Sequence, residues 1–339
     1  MPATEPRFLI VRLGSMGDII HALPAARALR QAFPTARLDW VVEFRWRPLL
    51  DQVPFVSSIL SFDRRSWRDV RRAVAELRRA HYACAIDFQG LYKSALLARL
   101  SGAPRRVGFA RSHARESGVS LFYTDRVAPA AVHVVMQNLA LAERAGAQSC
   151  GSLAAAEFPL RIPPEAAAVV ARIIGKEGIK NYFLISPGGG WRSKCWPPER
   201  YGELHRRLAS RLGCRGLVTF GPGERGLADA VLQGAGEPAP LVLDLDLPEL
   251  MAAVRGARVF IGGDTGPLHL AAALGTPVVG LYGPTDPARN GPYSPADIVV
   301  RNATPEQTTY RRGSDFSAAM LSITIDQVEH AVAQRLGLP

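Results

Sequence analysis

Short apolar runs alternate with segments of helical periodicity along nearly the whole chain. RFLIVRL (7–13), LDWVVE (38–43), YACAIDF (82–88), YFLIS (182–186), GLVTFG (216–221), RVFIGG (258–263) and PVVGLYG (277–283) are close to continuously apolar. Such runs predict strands buried on both faces. Between them, residues 66–80, 198–212 and 266–274 carry apolar residues at helical spacing. Strand and helix in alternation predict an α/β protein with parallel sheets.

The pattern starts twice. One series opens near residue 8, and NYFLISPGGG (181–190) opens another after the proline-rich passage EFPLRIPPEAA (157–167). This predicts two doubly wound domains facing a cleft, 1–168 and 169–322, followed by a C-terminal helix within 323–339. In that helix Thr324 and Gln327 form a capping box, Ile323 and Val328 can make the hydrophobic staple, and Gly337 suits the C′ position. The helix is expected to pack back on the first domain.

In open α/β sheets ligands bind beyond the carboxyl ends of the strands, so the loops there are the candidates. The first is RLGSMGDIIHALPAARALR (12–30), where a glycine-flanked turn passes from strand to helix at Asp18. Asp18 is either a helix cap or an acid–base group at the mouth of a site. Pro24 requires that the helix kink or that a short first turn precede it. In SPGGGWRSKCWPPERY (186–201), Gly188, Gly189 and Gly190 let backbone approach a ligand, and Lys194 adds a mobile cation. In TFGPGERGLAD (219–229), Glu224 either complements a helix dipole or accepts from ribose hydroxyls.

VFIGGDTGPLHLAAALG (259–275) is the most informative of these loops. A strand ends in Gly262–Gly263, and Asp264, Thr265 and Gly266 precede a helix that Pro267 can open. Free N–H groups at such a helix start favour phosphate. Asp264 would repel phosphate, so capping or binding sugar hydroxyls suits it better, and His269 in the first turn either faces the ligand or is structural.

Composition changes this picture in one respect. Of the 339 residues, 47% are apolar and 21% charged, which is ordinary, but the net charge is +11. Arg64, Arg65, Arg68, Arg71, Arg72, Arg78 and Arg79 fall in one stretch, and Arg105, Arg106, Arg111 and Arg115 in another. Val70, Val74 and Leu77 form an apolar stripe opposite the first set, as on a solvated helix. The charge favours an anionic partner. Nucleic acid is not expected, because Trp67 alone interleaves an aromatic with the arginines. No run is long enough to span a bilayer and no leader pattern is present, which predicts a cytoplasmic protein. Cys84, Cys150, Cys195 and Cys214 show no metal-ligand spacing and read as reduced packing thiols.

The stretches GSMGDIIHALPAARAL, AIDFQGLYKSALLARL, ARESGVSLFYTDRV, SKCWPPERY, GPGE and GGDTGPLHLAAALGTPVVGLYGPTDP occur in this order. Together they resemble the ADP-heptose:lipopolysaccharide heptosyltransferases, glycosyltransferase family 9, over roughly residues 7 to 330, and the first-domain stretches are most similar to the heptosyltransferase I subfamily. The resemblance implies a GT-B fold of two Rossmann-like domains. It also implies inverting transfer of heptose from ADP-L-glycero-D-manno-heptose to the Kdo of Kdo2-lipid A, with no cofactor and no essential metal. Asp18 would be the general base and Lys194 would neutralise the departing ADP. The donor would lie on Gly188, Gly189, Gly190, Glu224, Asp264, Thr265, Gly266 and His269. The acceptor would meet Ser15, Met16, Gly17, Arg64, Arg65, Arg68, Gln89 and Arg115, with transient contact at the inner face of the inner membrane.

Three features depart from the family pattern. Gly189 and Gly190 stand where a hydroxyl pair is frequent, Gln137 stands where a basic residue is usual, and the tail at 308–324 has no cysteine. A related enzyme with another sugar or acceptor, or a nucleotide-sugar hydrolase or epimerase, are the alternatives.

Overall fold

The computed structural model describes residues 5–149 and 151–338; the expectation for Cys150 lies outside them. The chain divides into two compact units, the first ending at Arg161 and the second starting at Ile162. This break falls ahead of the expected 168/169 division. The reason is the helix Pro164–Lys176, which packs on the helix Leu247–Gly256 of the second unit and is not cut by it.

Each unit is built on one six-stranded, wholly parallel sheet. In the first, β1 (Arg7–Val11), β2 (Arg37–Glu43), β3 (Ser58–Phe62), β4 (Cys84–Asp87), β5 (Arg105–Phe109) and β6 (Asp125–Val127) take the order β3-β2-β1-β4-β5-β6. In the second, β7 (Tyr182–Ser186), β8 (Arg215–Thr219), β9 (Leu241–Leu243), β10 (Phe260–Gly263), β11 (Val278–Leu281) and β12 (Ile298–Val300) take the order β12-β11-β10-β7-β8-β9. Both are the doubly wound order, in which the strand sequence reverses between the first and fourth strands of the unit. The registers Val11↔Asp87 and Ile261↔Ile185 fix these switch points. Backbone diverges to opposite faces there, leaving a crevice at the carboxyl end.

The seven runs expected as strands supply seven of the twelve. Of the five not anticipated, β3, β6, β9 and β12 are the sheet edges. Edge strands bury less surface and here run three to five residues, so their apolar signal is weak. Leu9, Val11, Leu13, Val41, Ala85 and Leu77 share one core cluster in the first unit. In the second, Phe183, Ile185, Trp196, Tyr201, Val218, Ile261 and Val279 do so.

The helices Trp67–Arg79, Pro198–Leu212 and Gly266–Ala273 occupy the segments expected of them. In the first of these Ala73 and Leu77 are buried, while Arg71, Arg72, Arg78 and Arg79 are exposed. Those four arginines are therefore a solvated face. The helix Met16–Ala32 runs through Pro24 without interruption.

The last helix, Ile325–Arg335, has its capping box in place. Gln327 N–H donates to Thr324 Oγ1 at 3.2 Å and Thr324 N–H to Gln327 Oε1 at 3.0 Å. Ile323, Val328 and Val332 are fully buried in the core of the second unit, and Arg207 bonds Asp326 at 2.6 Å. The apolar face of this helix fills the core of its own unit. Among the described residues no helix is long and apolar enough to cross a membrane.

Candidate active-site residues in the two units

The turn after β1 places Asp18 at the switch point of the first sheet. Ser15 precedes the helix Met16–Ala32, and both its N–H and its hydroxyl donate to Asp18 Oδ2 at 3.2 Å. Gly14 is required because a Cβ there would lie 2.6 Å from Trp46 Nε1. Asp18 Oδ1 ion-pairs with Arg12 Nη2 at 2.5 Å and with Arg115 Nη2 at 3.1 Å. Capping chemistry and a charged cluster thus use different oxygens of one carboxylate.

The two arginines are not equivalent. Arg12 is 2% exposed and donates also to the Phe88 carbonyl, so it is fixed. The Arg115 side chain is 42% exposed and can move. Burial alone would raise the Asp18 carboxyl, but the Arg12 and Arg115 charges outweigh it and hold the group well below the usual carboxylate range. Asp18 is therefore ionised in the resting protein.

Met16 and Gly17 form the first turn of the same helix. Gln89 is buried, and its Oε1 accepts from Leu13 N–H at 2.9 Å, so it braces the end of β1 from β4. Asp87, in β4, accepts from Tyr123 Oη at 2.7 Å, Ser94 Oγ at 2.8 Å and Gln89 N–H at 2.8 Å. Burial pushes its carboxyl up, and this closed network is a brace.

The expected acceptor arginines do not form one cluster. Arg64 lies 3.4 Å from Glu43, which also holds Arg45 at 3.4 Å and Lys93 at 3.5 Å. Three cations around one carboxylate leave a net positive rim at the ends of β2, β3 and β4. Arg65 and Arg68 are exposed. The rim joins the Asp18 group through Tyr92 N–H, which donates to Glu116, the neighbour of Arg115, at 2.5 Å. Glu43, Arg45, Lys93 and Arg12 escaped the sequence reading because isolated charges at strand ends and at the helical turns that follow them carry no motif. Arg105 and Arg106, from the second basic stretch, have structural roles. Arg105 donates to the Arg144 carbonyl and pairs with Asp125, while Arg106 donates to the Phe122 and Ala103 carbonyls. Gln137 donates to the Ala131 and Val132 carbonyls at 3.0 and 3.1 Å, a backbone brace where a basic residue was expected.

In the second unit the three expected loops converge at the carboxyl ends of β7, β8 and β10. Lys194 is 9% exposed, pairs with Asp264 Oδ2 at 2.5 Å and lies 4.6 Å from the Trp191 ring centroid. It is pinned, which corrects the expectation of a mobile cation. Asp264 also lies 3.1 Å from His269 Nε2 and accepts from Asn290 Nδ2 at 2.6 Å. Burial would raise its carboxyl, but His269 and Lys194 outweigh that and hold it well below the ordinary range. Asp264 is thus the hub of the loop and does not cap the helix that follows. Thr265 is the N-cap residue of Gly266–Ala273, and its hydroxyl donates to the Gly263 carbonyl at 3.3 Å.

Glu224 is turned back onto the glycine loops. Its Oε1 accepts from Gly189 N–H at 3.1 Å and its Oε2 from Gly221 N–H at 3.0 Å. A Cβ on Gly188 would fall 2.1 Å from Glu224 Oε2, and one on Gly189 2.7 Å from Cys195 Sγ. A side chain at Gly188 or Gly189 would displace these groups, whereas a Cβ on Gly190 would meet open space, so packing explains Gly189 but not Gly190 of the pair that departs from the family pattern. Cys84 and Cys195 are buried free thiols and Cys214 is a half-buried one; burial pushes the Cys84 thiol up to about 11. Among the described residues no group of three or more His, Cys, Asp or Glu side chains could hold a metal ion.

Two doubly wound parallel sheets, with glycine-rich loops, a helix start and a buried lysine–carboxylate pair at the switch point of the second, define an α/β protein whose loops suit a phosphate-bearing ligand. The sequence comparison makes this specific. Residues 70–319 match the model of glycosyltransferase family 9 (heptosyltransferase), and the chain belongs to that family. It is 31% identical over 331 residues to lipopolysaccharide heptosyltransferase 1 of Pseudomonas aeruginosa, covering 92% of this chain and 85% of that protein. It is 30% identical over 317 residues to lipopolysaccharide heptosyltransferase 1 of Escherichia coli K12, covering 87% and 93%. The fold matches E. coli heptosyltransferase WaaC with ADP at a TM-score of 0.77 and 27% identity, over 97% of this chain and 99% of that one. E. coli ADP-heptose heptosyltransferase II matches at 0.80 and 21%, over 98% of each. The protein is a glycosyltransferase of the GT-B fold.

Proposed function

We propose that the chain transfers heptose from ADP-L-glycero-D-manno-heptose to the Kdo of Kdo2-lipid A, with inversion and without a metal, in the assembly of the lipopolysaccharide inner core. The observation that carries this reading is the Asp18 carboxylate, ionised and aimed by a fixed Arg12, beside a basic rim suited to an acidic sugar and its phosphates. Relatives named heptosyltransferase 1 at 30–31% identity over most of the chain support it, as does WaaC, a relative that holds ADP.

In this reading an acceptor hydroxyl oxygen attacks the anomeric carbon as the bond from that carbon to the ADP phosphate oxygen breaks. The electron pair leaves with ADP. Asp18 Oδ2 takes the hydroxyl proton, since its partners are the two long Ser15 contacts, whereas Oδ1 is held by arginines. Such a base contributes ~10²–10⁴ in rate. Arg115 exchanges Asp18 for an acid group of the acceptor, which raises the basicity of the carboxylate only when acceptor is bound. Lys194 and the start of the helix Gly266–Ala273 stabilise the charge developing on ADP. Glu224 has lone pairs left for ribose hydroxyls after accepting from its two glycines. The acceptor is lipid-borne, so catalysis takes place at the inner face of the inner membrane.

The test is mass spectrometry of products from ADP-heptose and Kdo2-lipid A, with the anomeric configuration read by NMR. One heptose added to the acceptor, with inverted configuration, is the expected result. ADP-heptose bound but not transferred to this acceptor, and transferred to a heptosylated core, would move the assignment to another family 9 reaction.

A further inference from the structure

The donor loops of the second unit hold two carboxylates and two cations, and the cations are not equivalent. Lys194 is buried and paired with Asp264. Arg192, in the same turn, is exposed and laid over Phe316. Glu224 adds a second carboxylate against the Gly188–Gly190 loop, and the glycines contribute no side-chain donors. A diphosphate approaching this surface gains from further positive charge.

The segment after β12 brings it. Residues 312–316 lie on the loop that carries Lys194 through three contacts. Gly313 N–H donates to Ser193 Oγ at 3.4 Å, Arg192 stacks on Phe316 at 4.1 Å, and the Arg312 guanidinium lies 5.6 Å from the Trp191 ring centroid. The Trp191 indole thus carries two cations, Lys194 and Arg312. Arg312 is exposed, and among the described residues it forms no ion pair, whereas nearby Asp315 is engaged by Ser314 Oγ at 2.9 Å. A Cβ on Gly313 would stand 3.0 Å from Ser193 Cβ, so the close approach of the segment to the loop depends on that glycine.

We infer that Arg312 is a further diphosphate-binding residue, carried to the donor loop by the 312–316 segment and held over Trp191 beside Lys194. The aromatic face orients the guanidinium while leaving its N–H fork free, and that fork suits a bidentate grip on phosphate oxygens. Because Lys194 shares its charge with Asp264, Arg312 adds, beside Arg192, charge with no carboxylate partner for an anionic leaving group to meet. This rests on the donor being a nucleoside diphosphate sugar, as proposed above.

The experiment is isothermal titration calorimetry of the full chain with ADP, AMP and adenosine, for the wild type, Arg312→Gln, Arg312→Lys and Arg192→Gln. Arg312→Gln is expected to weaken ADP roughly tenfold, the scale of one charge-assisted hydrogen bond, and AMP less. Adenosine affinity and melting temperature should not move, and Arg312→Lys should recover part of the loss. Equal ADP affinity in wild type and Arg312→Gln would overturn the inference alone. So would an equal loss for adenosine, or a loss confined to Arg192→Gln. A wild-type chain that binds no ADP would overturn the donor assignment and this inference with it.

Discussion

Replacing Asp18 by Asn separates the ion pairing this carboxylate makes from the base role proposed for it. The substitution keeps shape and removes charge, leaving Arg12, 2% exposed, without the carboxylate that pairs with it at 2.5 Å. Removing one partner of a buried ion pair costs about 3–5 kcal/mol, and the lower end applies because the Asp18 side chain is 19% exposed. At about 2–4 °C per kcal/mol for a unit of this size, the first unit should melt roughly 6–12 °C lower. Catalysis should fall by more than stability explains. Losing the general base lowers kcat by ~10²–10⁴ at a temperature where the variant is fully folded. ADP affinity should stay at the wild-type value, because Asp18 and the donor loops belong to separate cores. The assays are differential scanning fluorimetry, initial rates well below the lowered transition, and calorimetry with ADP. Turnover within about tenfold of wild type in folded Asp18→Asn would refute the base assignment. A parallel loss of ADP affinity would refute the independence of the two units.

Two further outcomes follow from particular contacts. Gly188→Ala places a methyl 2.1 Å from Glu224 Oε2, so the carboxylate must leave Gly189 and Gly221; ADP affinity should drop roughly tenfold, about 1.4 kcal/mol, and an unchanged Kd would show that Glu224 does not organise the donor loop. His205 is fully buried, accepts from Gly216 N–H at 3.1 Å, and burial lowers its pKa to about 4. It stays neutral in the fold while the unfolded chain takes up a proton. Its contribution is therefore complete above about pH 6.5 and is lost as pH falls toward 4, by about 3 kcal/mol at most. His205→Gln should flatten that decline in thermal scans, and an identical pH dependence would rule out His205 as its source.

The sequence by itself determined the architecture and the loops that carry the candidate site. Continuous apolar runs such as FLIV and YFLIS, short and rich in β-branched or aromatic residues, suit strands covered on both faces, and their alternation with helices leaves few topologies open. The glycine turns mark where backbone must bend sharply or be approached, so Asp18, Lys194, Glu224 and Asp264 could be named from spacing. The Thr324–Gln327 cap is a contact within one turn, set by neighbours in the chain, and is equally legible.

What tertiary structure decided was pairing. That Arg12 and Arg115 share one oxygen of Asp18, that Lys194 is spent on Asp264, and that Glu43 gathers three cations all depend on groups from separate strand ends. Their distances are set by sheet order and register, which no local pattern encodes. The glycines of the PGGG loop show the same limit. Their number is plain in the sequence, but the reason for two of them is the Glu224 carboxylate and the Cys195 sulfur packed where a Cβ would sit. Charge count was visible from the start, and charge compensation was not, because burial and partners fix which of the arginines remain free to meet an anion.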